Sequence, residues 1–244
     1  MYLSTLLVET GVDPDRPRPG RQWLHNIYHV HQRLCMAFPS AAQKDGDREF
    51  LKPFVPDGFT HVHGPRSEKQ AFLFRVDPQP GGNPVILVQS ALKPDWDYAF
   101  HNAGFLLAAT PEVKELDPSF RKEQPLRFRL VANPTRKIDT KSGPDGRRRN
   151  GRRVPVKYEK LPEWLDHQGE RGGFKVEANS CACQPGYVYV GKPREAGNQR
   201  LFSVRFDGLL RVTDADAFRE TLISGIGPAK AFGFGLLSVA PRHA

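Results

Sequence analysis

Read from its first residue, the chain runs twice through one succession of elements: strand, helix, strand, strand, helix, strand. Strands show as short runs in which apolar and polar residues alternate, helices as apolar residues every three or four positions. In the first half the pattern predicts a strand over Met1–Glu9 and a helix over Gln22–Phe38, stopped by Pro39. Strands follow at Gln70–Val76 and Pro84–Leu92, then a short turn or helix near Asp97–Asn102 and an apolar stretch at Phe105–Ala109. The second half predicts a strand at Leu126–Ala132, a helix at Leu161–Gln168 and strands at Tyr187–Val190 and Leu201–Val212. A helix at Asp214–Ile223, with Asp214 or Thr213 as its cap, and a last strand at Phe234–Val239 complete it. This order is the ferredoxin-like pattern. It places the chain in the α+β class as two tandem ferredoxin-like (RRM-like) domains, 1–115 and 123–244. They join near residues 110–124, where Asp117-Pro118 and Gln124-Pro125 mark a link.

Between the last helix and the last strand runs Gly225-Ile226-Gly227-Pro228-Ala229-Lys230-Ala231-Phe232-Gly233-Phe234-Gly235, four glycines and a lysine in eleven residues. Glycines admit positive φ and close approach, and successive free N–H groups make a concavity that favours an anion. One reading is a phosphate-contacting loop with Lys230 as its point charge. The other is a tight helix-to-strand turn with no ligand. A nucleotide P-loop and a dinucleotide fingerprint are both excluded, because each needs a helix after the glycines.

The net charge is +9, which suits a polyanion partner. From Arg136 to Lys160 ten basic and three acidic residues give +7 of it. The middle of that segment, Lys141 to Arg153, has no apolar residue and cannot bury anything, so it is expected to be a loop. Val154–Tyr158 follows as a short strand or hairpin arm. Three cysteines make no disulfide framework and suit a reducing compartment. Cys181-Ala182-Cys183 offers too few ligands for structural zinc. No apolar run approaches the ~20 residues that span a bilayer, and the N-terminus lacks the basic start of a signal peptide. A cytoplasmic protein with no membrane partner is expected.

On the first helix, Leu24, Ile27, Tyr28, His31, Leu34, Cys35 and Phe38 share one face. His31 sits near the centre of this stripe with Tyr28 one turn before it. Such a histidine is either a core residue with one nitrogen satisfied or a proton-moving group at the edge of a cleft. His25 and His29, four apart, and His61 and His63, on one strand face, lack the further ligands a metal site needs.

Four segments together carry a family resemblance. They are Tyr28-His29-Val30-His31, then Val88-Gln89-Ser90 with Pro94-Asp95-Trp96. The third is Phe128-Arg129-Leu130-Val131-Ala132-Asn133-Pro134, leading to Gly151-Arg152-Arg153-Val154-Pro155-Val156-Lys157. The fourth is Gly225 through Ser238, shared by the wider repeat-associated RNA-binding superfamily. In this order the chain resembles the CasE family, the CRISPR repeat-processing endoribonucleases of the type I-E Cascade complex. The resemblance implies tandem ferredoxin-like domains, the first with a catalytic helix, the second with a basic hairpin and a glycine-rich loop. It implies binding of the CRISPR repeat hairpin RNA and cleavage at the stem base by the ribose 2′-OH, with no metal or other cofactor. The product stays bound, and other Cascade subunits are the remaining partners. Matched residue by residue, His31 and Tyr28 are catalytic. RNA binding falls to Arg33, Arg136, Arg147, Arg148, Arg149, Arg152, Arg153, Lys157, Lys160, Gly225, Gly227, Lys230 and Gly233. Some relatives carry a lysine or arginine directly after the histidine or one turn on. Here those places hold Gln32 and Met36, with Arg33 the nearest cation. Two other readings are open: a non-catalytic hairpin-RNA-binding subunit, and a metal-dependent nuclease using the histidines.

Overall fold

A computed structural model describes residues 1–11, 18–39, 72–138, 153–191 and 199–242. It is a mixed α/β structure of antiparallel sheets. Its compact units are Met1–Asp117 with Tyr189–Gln199 and Ala231–Gly233, and Pro118–Val188 with Arg200–Lys230 and Phe234–Ala244.

The first unit holds β1 (Tyr2–Leu7), helices α1 (Pro19–His25) and α2 (Ile27–Cys35), the hairpin β2 (Phe72–Asp77) and β3 (Val85–Ser90), the short α3 (Trp96–Phe100) and β4 (Glu112–Glu115). Its sheet runs β2-β3-β1-β4. The register sets Thr5 beside Leu87, and Leu87 beside Arg75. One face carries Ser4, Leu6, Phe74, Ile86 and Val88, all fully buried. Strand periodicity puts these alternate residues on the same side. β4 has no signature in the sequence, because its four residues are all exposed and show no apolar period. Its pairing with β1, Thr5 opposite Glu112, defines it.

The single helix expected over Gln22–Phe38 is instead two. Asn26 is extended (φ −116°, ψ 100°) and ends α1. Its side-chain oxygen accepts from the Tyr28 N–H at 3.2 Å and caps α2. The same amide accepts from the Gly191 N–H at 3.1 Å and donates to the Gly191 carbonyl at 2.8 Å. Asparagine favours such a cap because a short polar side chain satisfies an end N–H that has no helical partner. The break changes the buried stripe: Trp23, Ile27, Val30, His31, Leu34 and Ala37 are buried, while Tyr28 and Cys35 lie at its margin.

The second unit holds β5 (Pro125–Ala132), the small hairpin β6 (Thr135–Lys137) and β7 (Arg153–Pro155), helix α4 (Leu161–Arg171), β8 (Phe174–Val176), β9 (Ala182–Val190) up to Val188, the fourteen-residue β10 (Gln199–Val212) from Arg200 on, α5 (Ala215–Ser224) and β11 (Leu237–Pro241). Its sheet runs β11-β5-β10-β8, and β9 also pairs with β10. β5 alternates as its sequence predicts: Leu126, Phe128, Leu130 and Ala132 point into the core and Arg127 points out. Leu161 and Leu165 of α4 and Phe218 of α5 complete that core. β8 has only three residues, too few for a period to show. It pairs with the Leu210–Val212 end of β10, while the strand expected at Tyr187–Val190 is the end of β9. Asp214 caps α5 by accepting from the Ala217 N–H at 3.0 Å.

Candidate nucleic-acid interface

In the first unit, α2 carries His31 toward β2. The His31 ring stacks at 5.5 Å on Phe72 and 6.1 Å on Phe74, and its Nε2 lies 3.5 Å from the Cys35 sulfur. Only 6% of the residue is exposed. Tyr28, one turn earlier, is half-buried, its ring tilted at 6.3 Å from that of His29. The Arg33 guanidinium turns to α3 and the turn after it. It donates to the Ala99 carbonyl at 3.0 Å and to Asn102 Oδ1 at 3.3 Å. Burial pulls its pKa down. Gly233 also belongs to this unit, where a Cβ would sit 3.4 Å from the Phe74 ring and 3.6 Å from Ile27.

The other described candidates are in the second unit. Arg136 stands on β6 opposite Val154, exposed. Arg153 begins β7 and donates to Thr135 Oγ1 across the hairpin at 3.2 Å. Lys157 is exposed just beyond β7. Lys160 is paired with Glu163 at 2.6 Å. That hydrogen bond, with the charge of Glu163, raises the Lys160 pKa. Arg147, Arg148, Arg149 and Arg152 lie outside the described residues.

The glycine-rich loop combines strained turns with internal bonds. Gly225 (φ +74°) ends α5, and its N–H donates to the Thr221 carbonyl at 2.8 Å. The Ile226 N–H donates to the Gly235 carbonyl at 2.9 Å, and the Gly235 N–H donates to the Val131 carbonyl at 2.8 Å. At Gly235 (φ +90°) a Cβ would meet the Ile226 carbonyl at 2.8 Å, so only glycine fits. Lys230 Nζ donates to the Ser224 carbonyl at 2.6 Å, on the negative end of α5, and burial lowers its pKa. Much of the loop's donor capacity therefore closes the turn itself. Gly225 and Gly227 nevertheless border an open cleft of about 510 Å³, together with Arg153 and Thr135 of the hairpin. The same cleft is lined by Trp164, Gln168 and Arg171 of α4, which belong to no motif in the sequence. Their spacing of four and three on a helix beside the apolar stripe is the one signal that points to them.

Among the described residues no three His, Cys, Asp or Glu side chains gather as a metal site. Burial pushes the Cys181 thiol up to about 12, with the neighbouring Cys183 adding to the shift. Burial raises Cys183 too. Both shifts oppose the thiolate a metal would need. His61 and His63 lie outside the described residues. No described helix is long and apolar enough to cross a membrane.

The model of a CRISPR-associated protein family matches residues 1–241. The chain belongs to that family. Among its curated relatives is the "CRISPR-associated endoribonuclease Cse3" of Thermus thermophilus, 31% identical over 99% of this chain and all of its own length. The "CRISPR system Cascade subunit CasE" of Escherichia coli is 28% identical over 99% of this chain and all of its own. Among solved structures, the CRISPR endoribonuclease Cse3 bound to a 19-nucleotide RNA superposes with a TM-score of 0.71. It is 30% identical, covering 99% of this chain and 100% of that one. The CRISPR-associated family thus spans both units rather than either alone.

Proposed function

We propose that this chain is a metal-independent endoribonuclease that binds the hairpin of CRISPR repeat RNA, cuts the precursor at the stem base and stays with its product as a Cascade subunit. The observation that carries the proposal is the end-to-end likeness to a relative named as an endoribonuclease and to that enzyme's RNA-bound structure. The name of a second full-length relative supports the Cascade part.

Two ferredoxin-like domains, 1–115 and 123–244, fit this reading. A βαββαβ chain of that type orders its strands 4-1-3-2. The order β4-β1-β3-β2 matches in the first unit, and β11-β5-β10-β8 matches in the second. Three cysteines outside any disulfide suit the reducing cytoplasm.

In the proposed reaction the ribose O2′ attacks the adjacent phosphorus and the P–O5′ bond breaks. The products are a 2′,3′-cyclic phosphate and a 5′-OH. A proton leaves O2′ and one arrives at O5′, and His31 is the group that moves one of them, with Tyr28 beside it. Acid–base catalysis of this kind supplies about 10²–10⁴-fold. Holding the RNA in line for attack supplies up to ~7–11 kcal/mol. Arg136, Arg153 and Lys157, with Arg147, Arg148, Arg149 and Arg152, grip the stem, whose phosphates line the A-form grooves. Arg33, Lys160, Lys230, Gly225, Gly227 and Gly233 complete the proposed RNA contacts.

A non-catalytic RNA-holding subunit is the second reading. The burial of His31 against Phe72 and Phe74 favours it. Incubating the protein with a repeat hairpin RNA in excess EDTA separates the two, beside His31→Ala and an RNA with one 2′-deoxy at the stem base. Cleavage lost in both controls with binding kept supports the endoribonuclease. Tight binding without cleavage by the wild type leaves the second reading.

A further inference from the structure

We propose that the Trp164–Gln168–Arg171 face of α4 binds one unpaired nucleotide flanking the RNA stem, with Arg171 neutralising its phosphate. This rests on the RNA-binding reading above. Positions 164, 168 and 171 are spaced i, i+4, i+7 and so share one helix face. That face opens on the cleft bordered by Gly225, Gly227 and Arg153.

The chemistry follows from which donors are already engaged. The Gly225 and Ile226 N–H groups close the turn, and Lys230 is bound to the Ser224 carbonyl. Arg171 is different: it is exposed in the last turn of α4 and makes no ion pair with a described residue. With Arg153, whose guanidinium donates to the Thr135 hydroxyl, it puts two cations on one cleft. Two guanidiniums on a cleft call for an anion with several acceptor oxygens, which a phosphodiester is.

The cleft's dimensions select a single nucleotide. About 510 Å³ is within the range of small-ligand sites and too small for a duplex. Trp164 is a fixed wall. It stacks on Phe206 at 5.9 Å and 16°, and a Cβ on Gly227 would lie 3.5 Å from its ring. An aromatic surface beside paired cations is how unpaired bases and their phosphates are held together. Gln168 adds an amide that both donates and accepts.

The test compares the full-length wild type, Arg171→Ala and Arg171→Lys on two RNAs, the hairpin alone and the hairpin with a single-stranded flank. Affinity is measured from 50 to 200 mM salt. R171A is expected to bind the flanked RNA about tenfold more weakly at low salt. One lost single-strand phosphate contact lowers the salt slope by about 0.7, so over this fourfold range the wild type loses about 2.6-fold more affinity than R171A. R171K keeps the slope, and the bare hairpin binds all three proteins equally. A wild-type slope in R171A overturns the proposal, as does an equal loss on the bare hairpin. A wild type that binds neither RNA overturns the RNA reading itself, and this site with it.

Discussion

Replacing His31 separates a catalyst from a core residue, because the two roles predict losses in different quantities. As a core residue, His31 stabilises through its stacks on Phe72 and Phe74. Aromatic pairs contribute about 0.5–1.5 kcal/mol each beyond area burial, and truncating a buried aromatic ring to alanine costs about 3–5 kcal/mol in all. A domain with about 7 kcal/mol of stability keeps about 2 kcal/mol after the larger loss, which leaves roughly 97% of it folded at about 1.4 kcal/mol per tenfold. As a catalyst, His31 moves a proton, and its loss lowers the rate by about 10²–10⁴. The predicted fall in folded fraction is a few per cent, the predicted fall in rate at least about a hundredfold. The assay is single-turnover cleavage of a repeat hairpin RNA at saturating protein in EDTA, with a melting curve on the same preparation. His31→Phe adds a control, since it keeps an aromatic ring against Phe72 and Phe74 but has no proton to move. It should recover part of the melting temperature and none of the rate. Cleavage by H31A within tenfold of wild type would refute the catalytic role and assign His31 to the core.

Other predictions concern the surrounding frame. Gly235→Ala must fit a Cβ 2.8 Å from the Ile226 carbonyl at φ +90°. It should lower stability by about 1–3 kcal/mol, read as a lower urea midpoint, and an unchanged midpoint contradicts the account of the turn. Arg75 holds Asp77 through Nε and Nη2, each at 2.8 Å, in a pair almost fully buried. R75L leaves a buried carboxylate and should cost about 3–5 kcal/mol, most of it recovered in R75L/D77L; equal losses in the two variants would show that the pair itself stabilises. Because burial raises the Cys181 pKa to about 12, the fold favours the protonated thiol. That stability is complete below the unfolded thiol's pKa near 9 and is lost as pH climbs toward 12. Cys181 should therefore react slowly with a thiol reagent at pH 8 until the protein is unfolded. Labelling of the native protein at a free-thiol rate contradicts this.

The strands with a wet face are legible in the sequence alone. β5 alternates because one side meets the core and the other water. The cap at Asp214 is legible for a similar reason, since a short acidic side chain precedes an apolar helical run. The break at Asn26 is not. Its extended backbone is held by Gly191, distant in sequence, and no local pattern records such a bond. β8 and β4 are hidden by shortness and by exposure, and both are defined by partners rather than by period. In the site, the residue types are legible but not their engagements. Arg33, Lys160 and Lys230 are assigned to RNA binding in the sequence, and each has an internal partner in the fold. Arg171 makes no ion pair among the described residues, yet nothing in its neighbourhood of the sequence resembles a motif that would single it out.

The allotment of chain between the two units bears on how such a protein can be altered by recombination. The first unit takes Tyr189–Gln199 and Ala231–Gly233 from deep within the second half of the polypeptide. A gene cut after Asp117 would deliver only one of its three stretches. The halves therefore cannot be exchanged between relatives as independent cassettes, although the same order of elements repeats in each. A substitution as late as Gly233 would be felt in the unit that began at Met1.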